Sequence, residues 1–142
     1  MNEFEKKLKE YLLNKLSEEY LGYSKEEIDK LEDFNGIYVI FDGEDICYVG
    51  ESFTQNMKKR LVQNLIDGDN GGTLRKNIAE IDKIKVSSAV TKIKKLKFKY
   101  LKLDISAWAF ACDYERIYIS LFQPKYNKSK KKKYSKDRKE PK

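Results

Sequence analysis

Apolar positions in this chain change their period several times, and each change marks an element. Residues 35–50 hold two runs, NGIYVI and ICYVG, in which β-branched and aromatic residues flank a polar turn, FDGED. That pattern predicts a β-hairpin. Each arm carries a tyrosine beside a glycine, so two phenols reach one surface. Upstream, Phe4, Leu8, Tyr11, Leu12 and Leu16 recur at spacings of three and four, with lysines and glutamates between them. This predicts an amphipathic helix over residues 3–21, stopped by Gly22. Ser24 and Glu27 form a capping box for a short second helix bearing Ile28 and Leu31.

Downstream of the hairpin, residues 51–56 read as a polar loop. Residues 57–66 return to helical spacing, with Met57, Leu61 and Leu65 on one face and Arg60 and Asn64 a turn apart on the adjoining one. DGDNGG is a loop. Thr73 caps a helix, TLRKNIAEI, with Leu74, Ile78 and Ile81 inward and Arg75 and Lys76 outward. VSSAVTKIKKL fits either a short helix or a strand, and we favour the helix. KFKYLKLD alternates as a third strand, with Lys97, Lys99 and Lys102 on its solvated side. Residues 107–122 form a last helix with a stripe of Ala111, Tyr114, Tyr118 and Leu121, and Glu115 on the stripe's boundary. Pro124 ends it.

The expected organisation is an acidic helical extension (1–33), a compact α+β domain (34–128) and a basic tail (129–142) without core residues. Ten tyrosines and seven phenylalanines give the domain the large apolar side chains for a core of its own. The chain has no run of 18 apolar residues, and its start is too acidic and amphipathic for a secretory signal, so no membrane partner and a cytoplasmic location are expected. Cys47 and Cys112 lack metal-ligand spacing and read as reduced core residues. The formal net charge of +7 is concentrated at the end, favouring a polyanionic partner. Lys58, Lys59 and the run Lys130, Lys131, Lys132 and Lys133 are the candidate contacts. The sequence has no histidine. That excludes Ser-His-Asp and Cys-His nucleophiles, His-ligated zinc and HNH-type nucleases, and leaves acid–base work to carboxylates, tyrosines, lysines or cysteine.

Five elements in order now meet a known pattern: Gly36-Ile37-Tyr38, Tyr48-Val49-Gly50, Arg60, Glu115, and Asn127 after Pro124. The chain over residues 34–128 resembles the GIY-YIG nuclease superfamily. The resemblance implies a small three-stranded antiparallel sheet flanked by helices, and cleavage of DNA with one divalent ion, Mg²⁺ or Mn²⁺. It implies Tyr38 as general base or water-orienting group and Tyr48 as its support. Arg60 would grip the scissile phosphate, Glu115 would be the sole protein ligand to the metal, and Asn127 would support the site. Gly36 and Gly50 match the close-packed glycines of the motif, and Arg75 is a further candidate for support. One departure stands out: where many members place a histidine or tyrosine one turn after the arginine, this chain has Asn64, which cannot move a proton at neutral pH.

The functional expectation is a metal-dependent DNA endonuclease that cuts one strand per active site. The alternative is a nucleic-acid-binding module with the same fold and little or no activity. RNA is as open a target as DNA, and the chain is expected as a monomer or weak homodimer.

Overall fold

A computed structural model describes residues 2–53, 56–66, 71–104 and 108–127. Its elements run α1 (Glu3–Asn14), β1 (Leu21–Gly22), α2 (Lys25–Asp29), β2 (Gly36–Asp42), β3 (Asp45–Ser52), α3 (Met57–Gln63), α4 (Thr73–Asp82), α5 (Val86–Ile93), β4 (Lys97–Lys102) and α6 (Trp108–Phe122). The strands form one antiparallel sheet in the order β1-β4-β2-β3. The expected three-stranded sheet is therefore corrected to four strands, with six helices among the described residues.

The extra strand lies where a helix was expected. α1 stops at Asn14, and the following chain runs beside β4. Ser17 donates its amide to the Tyr100 carbonyl at 2.8 Å and accepts the Tyr100 amide on Oγ at 3.1 Å. Leu21 then pairs with Phe98, Gly22 with Lys97, and the Tyr23 amide reaches the Leu96 carbonyl at 3.0 Å. The outer edge of β4 needs backbone partners, and residues 17–23 supply them. Two residues of pairing are too few to show a period of two in sequence. The basic tail, with Lys130 to Lys133, lies outside the described residues.

Both sheet faces are covered, which explains why GIYVIF reads as a continuous apolar run. Tyr38 and Ile40 of β2 face one cluster, built with Tyr23, Ile28, Met57, Leu61, Leu74, Ile78, Ile93 and Phe98 from α2 to α5 and β4. Ile37, Val39 and Phe41 face the other, with Leu12 and Leu16 at α1 and Tyr118 and Ile119 from α6. Ser24 caps α2 as expected, accepting the Glu27 amide at 3.2 Å. The loop expected at residues 51–56 begins later, because β3 continues through Ser52, whose Oγ accepts the Gly36 amide at 3.1 Å. α4 begins with Gly72 rather than Thr73 as its cap. Residues 86–93 are helical, the favoured of the two readings.

The N-terminal segment is thus built into both clusters. Ile28→Ala should destabilise the whole fold by about 2–5 kcal/mol, because Ile28 is fully buried. Phe4→Ala, at a side chain 73% exposed, should change stability by less than about 0.5 kcal/mol. Urea unfolding followed by circular dichroism checks both; an Ile28→Ala protein of wild-type stability would show that residues 1–33 dock loosely.

Candidate functional site

The site lies on the face of the sheet that carries Tyr38. Its foundation is the pairing of Tyr38 with Gly50 across β2 and β3. A Cβ on Gly50 would stand 2.2 Å from Cζ and 2.3 Å from the hydroxyl of Tyr38, so glycine lets the phenol lie across the neighbouring strand. Gly36 serves a similar purpose on the other side: a Cβ there would meet the Leu101 carbonyl oxygen at 2.0 Å. A bulge between Ile40 and Phe41 shifts the register and leaves Cys47 as the additional residue in β3. Before that bulge the register from Tyr38 and Gly50 is regular, so Tyr48 opposes Ile40 on the same face as Tyr38, with the two phenol rings 6.2 Å apart at 35°.

Four other segments close around these phenols. Tyr38, Tyr48, Gly50, Glu51, Arg60, Asn64, Gly72, Thr73, Asn77 and Asn127 line a cavity of about 230 Å³. That volume admits a phosphate group together with several waters. The structure thus gathers five of the sequence candidates, Tyr38, Tyr48, Arg60, Asn64 and Asn127, into one wall. Glu115 is not in that lining. It is buried on α6, and its charge acts on both phenols and on the Cys112 thiol. Lys58 is half-buried and Lys59 exposed, both on α3 beside Arg60.

Each lining residue is held from behind. Arg60 donates Nε to the Glu51 carbonyl and Nη2 to Glu51 Oε1, both at 3.1 Å, while the other Glu51 oxygen accepts the Phe53 amide at 2.9 Å. Asn127 spends its side-chain amide on one backbone unit, accepting the Val49 amide and donating to the Val49 carbonyl, each at 2.8 Å. Its neighbour Tyr126 donates its amide to the Cys47 carbonyl at 3.0 Å and its hydroxyl to Asp82 at 2.6 Å. Lys92 and Lys125 pair with the same aspartate at 2.7 and 3.1 Å. Asn64 donates to the Tyr23 hydroxyl at 3.0 Å, and that hydroxyl donates to the Leu61 carbonyl at 2.7 Å.

Glu51, Asn77 and Tyr23 are not among the residues that the sequence pattern singles out. Glu51 follows YVG directly and shares the cavity with Arg60, but only the strand's continuation past Gly50 aims it there. Asn77 carries no sequence signal; it donates to the Tyr126 carbonyl at 2.8 Å. Arg75, expected to face outward, is instead 3% exposed, with Nε and Nη2 lacking hydrogen-bond partners among the described residues.

Burial keeps the phenols protonated. It pushes Tyr38 up to about 12, against the opposing pull of Asn64 and the Arg60 guanidinium. Tyr48 and Tyr23 are likewise raised well above the ordinary phenol value, again mainly by burial. In the free protein Tyr38 therefore keeps its proton at neutral pH, and its oxygen accepts from the Asn64 amide. For a divalent cation the donors are few. Among the described residues no three His, Cys, Asp or Glu side chains converge on a point that could hold one, and Glu51 is engaged by Arg60. Glu115 is the carboxylate that the resemblance would assign to Mg²⁺; with no second carboxylate beside it, such an ion would need its remaining oxygen ligands from phosphate and water. No protein family, characterised protein or solved structure matches the chain.

The raised phenol gives a signed pH dependence. The folded chain keeps the Tyr38 proton up to about 12, whereas the unfolded chain releases it near pH 10. The contribution is complete below that lower value and drains as pH rises through the interval. Tyr38→Phe should therefore make the loss of stability between about pH 10 and 12 shallower, by about 1.4 kcal/mol per pH unit. Denaturant unfolding at a series of alkaline pH values measures it, and identical slopes would place the phenol in water.

Proposed function

We propose that this domain binds nucleic acid and seats one backbone phosphate in the cavity against Arg60. The observation that carries the reading is the convergence of Tyr38, Tyr48, Arg60, Asn64 and Asn127, from β2, β3, α3 and the chain after α6, on one hollow large enough for a phosphate. Arg60 supplies a planar fork suited to two phosphate oxygens, and the phenols and Asn64 supply neutral donors around it. The chain's formal charge of +7 favours approach of a polyanion. Glu51 tempers the site: a phosphate must displace or share the guanidinium that Glu51 holds at 3.1 Å.

Hydrolysis is the second reading, favoured by the presence of Glu115, whose charge reaches both phenols. A divalent ion bound there would neutralise charge on the phosphate and assist the departing oxygen. Arg60 would clamp the non-bridging oxygens, and Tyr38 would orient a water in line with the phosphorus. On this reading the chain is a metal-dependent endonuclease of the GIY-YIG kind, cutting DNA or RNA one strand at a time. Two features of the free protein sit closer to binding than to cutting. The phenols hold their protons tightly, and Arg60 is already paired.

Labelled DNA and RNA of duplex, single-stranded, flap and junction form separate these readings, titrated with and without Mg²⁺ or Mn²⁺. Arg60→Gln should weaken binding roughly tenfold at fixed salt. Cutting that requires metal and disappears in Glu115→Gln, with binding retained, establishes the endonuclease. Binding that depends on Arg60 without cleavage of any substrate establishes the binding module. A protein that binds none of these nucleic acids refutes both.

A further inference from the structure

Arg75 is the third residue of α4, counted from its cap at Gly72. Side chains of a helix lean toward its N-terminus, so this one folds back over the first turn. There its guanidinium rests against Gly71, where a Cβ would stand 1.8 Å from Nε and 2.5 Å from Nη2. A cation is thereby buried at the positive end of a ten-residue helix. The usual occupant of this position is Glu or Gln, which reaches back to the cap. Here the first turn contains no acid, and the glycine cap offers no side chain to the first amides.

Every part of this arrangement is unfavourable alone and favourable around an anion. Nε and Nη2, both lacking hydrogen-bond partners among the described residues, present the edge of the guanidinium that pairs two oxygens at once. The first-turn amides add donors, and the helix dipole adds attraction. Gly71 leaves room for the guanidinium itself against the backbone, and the Asn64 side chain takes the space beside Gly72. Gly72 and Thr73 also form part of the cavity wall that holds Arg60. We propose that Arg75 and the N-terminus of α4 form a second phosphate site, which takes the backbone phosphate adjacent to the one at Arg60. This rests on the nucleic-acid reading above for the source of the phosphate, and on Arg75 alone for the anion.

Inorganic phosphate is the probe for the site itself. Thermal melts in phosphate and in chloride of matched ionic strength should show a saturable phosphate-dependent rise for the wild-type chain. Arg75→Gln should lose that rise, and Arg75→Lys should keep part of it. General salting effects act on all three proteins equally, so a rise of equal size in Arg75→Gln overturns the proposal. Should Arg75→Gln fail to fold, phosphate titrated into ¹⁵N-labelled wild-type protein tests the same site directly. The amides of residues 73–75 should shift together and saturate, and unmoved amides overturn the site. On nucleic acid, Arg75→Gln should reduce the slope of log K against log salt by about one. An unchanged slope with intact DNA binding refutes the adjacent-phosphate role alone. Phosphate binding at α4 in a chain that binds no nucleic acid refutes the source and leaves the anion site standing.

Discussion

The contact on which the site depends is the one between the Tyr38 ring and the bare backbone of Gly50. Any side chain at residue 50 would occupy the space of the phenol. Because the ring lies over β3, its hydroxyl approaches Asn64 and Arg60 on the next helix, and Tyr48, two residues before Gly50 in regular register, comes into the same wall. β3 then becomes the spine of the whole arrangement. Cys47 and Val49 hold the segment after α6 through Tyr126 and Asn127. Glu51 holds Arg60, and Ser52 ties the strand back to Gly36 and Asn35. Six consecutive residues, Cys47 to Ser52, thus hold Tyr38, Tyr48, Arg60 and Asn127 in place, and a slip of one residue in the pairing of β3 with β2 would turn Tyr48 to the face opposite Tyr38.

This dependence explains which parts were legible in the sequence. The hairpin was legible because both of its faces are buried, so its apolar run is dense, and because its tyrosines and glycines stand at fixed distances along the chain. Helix α4 was legible by period, with Leu74 and Ile78 buried as expected, whereas α1 was legible only in part: it ends at Asn14, and Phe4 and Tyr11 of its expected apolar stripe are exposed. β1 was not, since its two residues pair only because β4 would otherwise present an unpartnered edge. Arg75 was misread for a related reason. Helical period alone puts it beside Ile78, on a boundary where charge argues for solvent and packing decides otherwise. Glu51 looked like a loop residue because the strand's end is set by Ser52 and Gly36 across the sheet, a non-local contact.

Tyr23 shows how the N-terminal segment enters the chemistry without touching the cavity. Its hydroxyl accepts from Asn64 and donates to Leu61, so the Asn64 amide has one of its donors fixed from behind. A buried amide with a fixed donor keeps its orientation, and that orientation bears directly on the proton affinity of Tyr38. A histidine in place of Asn64 would titrate near neutrality; asparagine keeps this contact constant across physiological pH. Asn64 therefore contributes a fixed dipole and no proton carrier.

Charge balance ties these pieces together. Around the cavity Arg60 is opposed by Glu51 and by the field of Glu115, so the hollow by itself is not strongly attractive to a phosphate. A carboxylate near a phosphate site is tolerated when a cation arrives with the ligand or when a second positive group stands nearby. The chain supplies the second in Arg75 and the open end of α4, whose residues Gly72 and Thr73 share the cavity wall. Two phosphates bridged by one backbone would then engage both cations together, each binding event raising the effective concentration for the other. A lone phosphate would have to displace Glu51 unaided. Discrimination between a polymer and a single phosphate would then depend on the distance between Arg60 and the N-terminus of α4.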